Sequence, residues 1–291
     1  MRRLALLVAA LLGVTLALGE APATKGDLVL IGGGEKPPQA MRKFVELAGG
    51  PDAPIVVIPT ASEEADAVEY YANLFGKDLG CTRVAVLDIR TREDAARPEF
   101  VERTKGASGI FFGGGDQSRI TRALLDTPVG AAVAEAFARG AVVGGTSAGT
   151  ACQSARMITG EGDFTVIRAG AVELARGLGL LPGVIVDQHF VARQRSNRLL
   201  SVILEHPELL GVGVDEDTAI WVTPGGTLEV IGSRSVVVYD AAKATVTRAA
   251  AADGKDLLGV RGLRMDVLLP GDRYDLDERK PIGRAKSNRR K

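Results

Sequence analysis

Histidine is scarce in this chain: 291 residues hold two, His189 and His206. Any chemistry that needs an imidazole base has only those two places to find one. Cysteine is equally scarce. Cys81 precedes an apolar run at 84–89, and Cys152 lies one turn beyond Ser147 in a segment that reads as core. Both are therefore expected as free, buried small hydrophobes rather than as a disulfide. Net charge is absent, with 36 basic and 36 acidic side chains. That excludes a general nucleic-acid binder, which carries a basic excess. No His, Cys, Asp and Glu spacing matches a metal site, and no cofactor motif is visible. Beyond the first residues no apolar run is long enough to cross a bilayer, so stable membrane association is not expected. No internal repeat and no linker interrupts residues 24–270.

The first 23 residues stand apart. Two arginines, an apolar stretch and two possible small-x-small cleavage sites, Ala17-Leu18-Gly19 and Ala21-Pro22-Ala23, form the pattern of a secretory signal peptide, which implies a secreted or periplasmic protein. No cysteine lies near the cleavage region, which argues against a lipoprotein. At the other end, residues 279–291 carry seven Lys or Arg and read as a solvated, disordered basic tail. Residues 24–278 are expected to form a single domain.

Short apolar runs alternate with amphipathic stretches through the first half. DLVLI at 27–31, IVVI at 55–58, VAVLDI at 84–89, GIFF at 109–112 and AVVGG at 141–145 read as strands. Residues 39–48, 63–79, 97–105, 119–126, 130–139 and 148–156 read as helices. The alternation predicts an α/β fold around a mostly parallel central sheet with both faces covered. VIVDQHF at 184–190 reads as one more strand and 195–205 as a helix. Residues 211–222 and 227–240 read as C-terminal strands and β-hairpins. In such sheets functional groups collect at the carboxyl ends of the strands. Glycine turns fall there at 32–34, 113–115 and 144–145.

One turn encloses a serine: Gly145-Thr146-Ser147-Ala148-Gly149 fits G-x-S-x-G. That pattern presents a serine on a sharp strand-to-helix turn, where its flanks must be small because helix and strand pass closely. A phosphate-binding P-loop would want Lys after the second glycine, where Thr150 stands. The Ala148 N–H is the natural first donor to an oxyanion. A serine hydroxyl needs a base to take its proton. His206 lies in LEHP, at a polar helix end, whereas His189 ends an apolar strand, where a base must sit. The base needs a carboxylate behind it. Asp187, two residues from His189, is awkwardly spaced to bond the ring. Asp215, Glu216 and Asp217 follow another apolar strand to the same sheet edge, and spacing does not choose among them.

Four segments, GGGDQSRIT at 113–121, GGTSAGT at 144–150, DQHF with RQRSNRL within 187–199, and GVGVDEDTA at 211–219, together resemble cyanophycinase, a family of serine exopeptidases related to aspartyl dipeptidases. The resemblance runs from about residue 27 to residue 274. It implies a three-layer α/β sandwich akin to class I glutamine amidotransferases, no cofactor, and a homodimer. It implies Ser147 as nucleophile, His189 as base, Glu216 as orienting acid and Gly114 as second oxyanion donor. It also implies Gln117, Asp187, Gln188, Arg193, Arg195 and Arg198 as substrate-binding residues. Cyanophycin is polyaspartate with arginine on each side chain, so each unit offers a carboxylate and a guanidinium. Forked cations suit the first and carboxylates or amides the second. The three arginines and the group Asp187, Gln188 and Gln117 are expected to divide that work. An exported enzyme could equally act on other aspartyl or isoaspartyl peptides.

Overall fold

Strands that are apolar on both faces need cover on both, and five such runs build the centre of the molecule. The computed structural model describes residues 26–252 and 254–284. Strands β1 (Leu28–Ile31), β2 (Ile55–Ile58), β3 (Val84–Val86), β4 (Gly109–Phe112) and β5 (Val142–Thr146) pair in parallel in the order β1-β5-β4-β2-β3. Every residue of β1, β2, β4 and β5 is buried. Successive side chains alternate between two cores: Leu28 and Leu30 enter one, Val29 and Ile31 the other. Helices α1 (Pro38–Leu47) and α2 (Ala67–Asn73) bring Met41, Phe44 and Tyr71 to the second core. Helices α3 (Pro98–Lys105), α4 (Gln117–Leu124), α5 (Pro128–Ala138) and α6 (Ala148–Ala151) lie on the opposite face, where Ile120, Val133, Phe137 and Ala148 fill the first core.

After a hairpin of β6 (Arg156–Gly162) and β7 (Val172–Arg176), the chain builds a second sheet from β8 (Val184–Gln188), β9 (Leu210–Val214), β12 (Val236–Asp240) and β15 (Arg264–Leu268). One face of this sheet, with Val186, Val212 and Val238, joins the first core. Its other face, with Ile185 and Val237, is covered by Leu199, Val202 and Ile203 of α7 (Ser196–Glu205). Strands β10 (Thr218–Val222), β11 (Thr227–Gly232), β16 (Asp272–Asp275) and β17 (Lys280–Arg284) extend the central sheet to nine strands in antiparallel fashion. The remaining pair, β13 (Thr245–Ala249) and β14 (Leu257–Arg261), forms a separate hairpin. The architecture is class I glutamine amidotransferase-like: a large, mostly parallel sheet, helices on both sides, and C-terminal antiparallel strands.

Three local expectations change. The helix expected over 148–156 ends at Ala151. There the Gln153 side chain donates to Gly149 O at 2.7 Å, and Ser154 Oγ accepts from Val186 N at 3.0 Å, which ties the chain to β8. Ser154 and its neighbours then lead into β6. The helix expected over 63–79 begins only at Ala67 and closes with a wider π-helical turn at Leu74–Asp78. Residues 63–66 form a loop instead, and this loop borders the site described below. The tail expected to be disordered from 279 is ordered through β17, where main-chain pairing with β16 and the ion pair of Arg284 with Asp272 hold an edge strand. The expected signal peptide and residues 285–291 lie outside the described residues. Among the described residues, no helix is long and apolar enough to cross a membrane.

Both cysteines are buried and free, and burial pushes both thiols up from the ordinary range. Alkylation of the folded protein is therefore expected to be slow at both positions. After unfolding without reductant, mass spectrometry should show two modified thiols; a single modification or none would contradict this packing.

Candidate active site

Three consecutive carbonyls at the end of β1 hold the site together. Ile31 O accepts from Ser147 N at 2.9 Å, Gly32 O from His189 N at 2.7 Å, and Gly33 O from Asp217 N at 2.9 Å. Segments far apart in sequence are thereby hung in register from one short stretch of backbone.

Ser147 sits between β5 and α6 at φ 53° and ψ −110°, a conformation that L-residues rarely adopt. The glycines beside it are there for space. A Cβ on Gly145 would lie 2.2 Å from Gly149 O, and one on Gly149 would lie 2.3 Å from Phe112 O. Thr150 Oγ1 pins the turn by donating to Ile31 O and Gly145 O at 2.7 and 2.9 Å. Ala148 opens α6, so its N–H has no acceptor within the helix.

His189 follows β8, also at positive φ (49°). Its Nε2 lies 2.9 Å from Ser147 Oγ and its Nδ1 lies 2.7 Å from Glu216 Oε1. A carboxylate on Nδ1 holds the proton there and leaves Nε2 free to accept from the serine. The glycine turn after β1 makes room for the ring: a Cβ on Gly33 would fall 2.2 Å from His189 Cε1. The three acids that spacing left open have separate tasks. Asp215 accepts from Val191 N and Ala192 N, fixing the loop after the histidine. Glu216 meets the imidazole. Asp217 accepts from Glu35 N at 2.8 Å and pairs with Arg234 at 3.0 Å. His206 is elsewhere, against Arg156 and Glu208.

His189 titrates below its ordinary value. Desolvation is the largest cause; the Glu216 hydrogen bond opposes it, and the charges of Arg193 and Arg195 add to the lowering. The base is therefore neutral over a wider pH range than a free imidazole.

The residues expected to bind substrate separate into three groups. Arg198 and Asp187 are spent on each other. Both are almost fully buried, at 2% and 1% exposure. Arg198 Nε donates to Asp187 Oδ2 at 2.7 Å, and Nη2 donates to Oδ1 in a two-pronged pair. Their charged groups lie beneath the site and satisfy each other, a supporting arrangement. Gln117 is also buried, with its amide nitrogen donating to Ile158 O and Thr159 O of the β6 strand. Arg195 is partly covered and caps Gln188, reaching its main-chain O at 2.7 Å and its Oε1 at 2.6 Å. Burial lowers the Arg195 guanidinium to about 10, with Arg198 beside it contributing. Gln188 Oε1 in turn lies 3.5 Å from Ser147 Oγ. Arg193 is exposed, 3.9 Å from Glu216.

Ser147, His189 and Gly114 open into a pocket of about 410 Å³. Its other walls were not legible in the motifs: Lys36 beyond the first glycine turn, Glu64 and Asp66 from the 63–66 loop, and Tyr70 and Tyr71 of α2. Lys36 donates to Tyr70 Oη at 2.8 Å. Gly114 N, expected to face an oxyanion, donates to Tyr71 Oη at 3.2 Å. The glycine turns at 32–34, 113–115 and 144–145 were the sequence signals that chain would converge here. Among the described residues no group of His, Cys, Asp and Glu side chains is placed to hold a metal. A strained serine, a neutral imidazole on its oxygen and a carboxylate behind the ring make an acyl-transfer arrangement.

Comparison with known proteins points to a peptidase. The model of peptidase family S51 matches residues 28–230. The cyanophycinase of Synechococcus elongatus is 40% identical over 257 residues, covering 87% of this chain and 80% of its own. That of a Nostoc species is 38% identical over 262 residues, with 88% of each chain covered. The crystal structure of a peptidase from an acI-B1 actinobacterium superposes with a TM-score of 0.66 at 25% identity, covering 87% of this chain and 98% of its own.

Two outcomes follow from this geometry. Removing one partner of a buried ion pair strands the other, at a cost of about 3–5 kcal/mol. Arg198→Met should lose stability on that scale in urea denaturation, and Asp187→Asn in the same chain should restore part of it; an unchanged midpoint for Arg198→Met would refute the supporting role. The acid limb of kcat/KM should lie below about 6.5, the ordinary histidine value. Arg193→Gln removes a charge that disfavours the imidazolium, so the limb should move to higher pH. A limb that stays put or moves down would show that Arg193 does not act on the base.

Proposed function

The chain belongs to peptidase family S51, and we propose that it is an exported serine-type exopeptidase releasing β-aspartyl-arginine dipeptides from cyanophycin. The reading rests on one observation above all: the continuous chain from Ser147 Oγ through His189 to Glu216, with contacts of 2.9 and 2.7 Å.

In the proposed reaction Ser147 Oγ attacks the scissile carbonyl carbon while His189 Nε2 takes the hydroxyl proton. Glu216 stabilises the imidazolium that forms. The carbonyl oxygen becomes an oxyanion beside the Ala148 N–H. His189 then returns its proton to the departing amine, leaving an acyl-enzyme. Water, deprotonated by the same imidazole, attacks the ester, and the serine proton is restored as the product acid leaves.

The pocket chemistry supports a substrate bearing both signs of charge. Lys36 is a cation on the pocket wall with Ser147, and Arg193 lies 3.9 Å from Glu216 behind the base; neither Glu64 nor Asp66 has a side-chain partner among the described residues. A unit with one carboxylate and one guanidinium meets complementary groups on both sides. With Asp187 and Gln117 buried, Glu64 and Asp66 take over the guanidinium-accepting work expected of those two. The names of the relatives, at 36–40% identity, support the same substrate. Export rests on residues 1–23, whose charge and apolar pattern is that of a signal peptide.

Incubation of the purified protein with cyanophycin, followed by mass spectrometry, should yield β-aspartyl-arginine dipeptides. Ser147→Ala should lower the rate by at least about a thousandfold with the fold intact. Intact cyanophycin alongside cleavage of short aspartyl or isoaspartyl peptides would favour the second reading, an exported S51 peptidase with a different acidic-peptide substrate. Undiminished turnover by Ser147→Ala would overturn the serine mechanism itself.

A further inference from the structure

We propose that Tyr71 is a further catalytic residue, whose hydroxyl donates a hydrogen bond to the oxyanion formed when Ser147 attacks. The proposal rests on the serine reading above but adds a group that no motif indicated.

The ring of Tyr71 belongs to the core. The residue is 5% exposed, and its ring meets those of Tyr70 and Phe111 with centroids 5.0 and 6.2 Å away. The residue nonetheless also lines the pocket that holds Ser147 and His189. Gly113 leaves space for it: a Cβ there would lie 2.9 Å from Tyr71 Oη.

A phenol hydroxyl has one proton to give and lone pairs to receive. The lone-pair side is satisfied, because Gly114 N donates to Oη at 3.2 Å. The proton has no acceptor among the described residues. A buried donor without an acceptor is costly, and here it borders the cavity into which a substrate carbonyl must come. Gly114, whose N–H holds the hydroxyl, itself borders the nucleophile, since a Cβ on Gly114 would lie 3.6 Å from Ser147 Cβ.

The main chain therefore acts one step back from where it was expected. Gly114 N–H does not face the oxyanion directly. It donates into Oη, and a hydroxyl that accepts a hydrogen bond becomes a stronger donor in turn. Burial pushes the phenol up to about 12, so it keeps its proton across the working range. Ala148 N–H and Tyr71 O–H then form the oxyanion hole. No proton is transferred; the hydroxyl proton stays on Tyr71 throughout.

The competing reading is that Tyr71 merely occupies the Gly114 N–H in the resting enzyme. The two readings predict opposite signs for Tyr71→Phe. Loss of an oxyanion donor should lower kcat by about 100- to 1000-fold, with KM changed by no more than a few fold. Labelling of Ser147 by a fluorophosphonate, whose phosphoryl oxygen takes the oxyanion position, should slow to a similar degree. If removing the hydroxyl only freed Gly114 N–H, both rates would hold or rise, and the proposal would be overturned. Should Tyr71→Phe fail to fold, incorporation of 3,5-difluorotyrosine at Tyr71 keeps the ring and lowers the phenol pKa. A new alkaline limb in kcat is then expected as the donor proton is lost, and its absence would overturn the proposal. Because the fluorophosphonate does not depend on which peptide is cleaved, a wild-type protein that ignores it overturns the serine reading together with the role of Tyr71. Equal labelling of wild type and Tyr71→Phe overturns the role of Tyr71 alone.

Discussion

The carbonyls of Ile31, Gly32 and Gly33 are the point on which the site depends. Each receives an N–H from a different segment, and those segments carry Ser147, His189 and Asp217 beside Glu216. Main-chain hydrogen bonds fix relative positions without the rotamer freedom of side chains, which suits a reaction sensitive to displacements of an ångström. The price is paid in side chains. Gly33, Gly145 and Gly149 can bear none, because a Cβ at each would fall within 2.4 Å of an imidazole atom or a carbonyl.

Beneath this frame lies a buried charged layer. Asp187 and Arg198 neutralise each other at the end of β8 and the start of α7. Arg195 extends the layer toward solvent by holding both oxygens of Gln188, one residue before the base. The pairing lets two ions be buried where either alone would be expensive. Arg195, with Arg193, also places positive charge near His189, which adds to the lowering that desolvation causes and favours the neutral imidazole that accepts the serine proton. Arg195 therefore serves both order and electrostatics.

Much of the frame was legible in the sequence, for identifiable reasons. Strands that are apolar throughout, such as β1 and β4, announce burial on both faces. Ser147 was legible because the crowding of its turn demands glycines, and His189 because only two histidines exist and one ends a strand. The choice among Asp215, Glu216 and Asp217 was not legible by spacing, since it depends on how one loop twists: Asp217 adopts φ 53° and so turns its neighbours in different directions. The roles of Arg198 and Asp187 were obscured because charge alone does not reveal burial. The 63–66 loop reads as helix by composition, yet it serves as a wall of the pocket. Tyr71 was hidden in an ordinary amphipathic stretch, and nothing local distinguishes a core tyrosine from one that also lines the pocket.

The central claim is that one histidine, held by one glutamate, activates one serine. Reaction with a fluorophosphonate followed by peptide mapping tests it most directly. A single adduct is predicted on Ser147, absent from His189→Ala and present in His206→Ala. An adduct on any other serine, or one that survives in His189→Ala and vanishes in His206→Ala, would contradict the account.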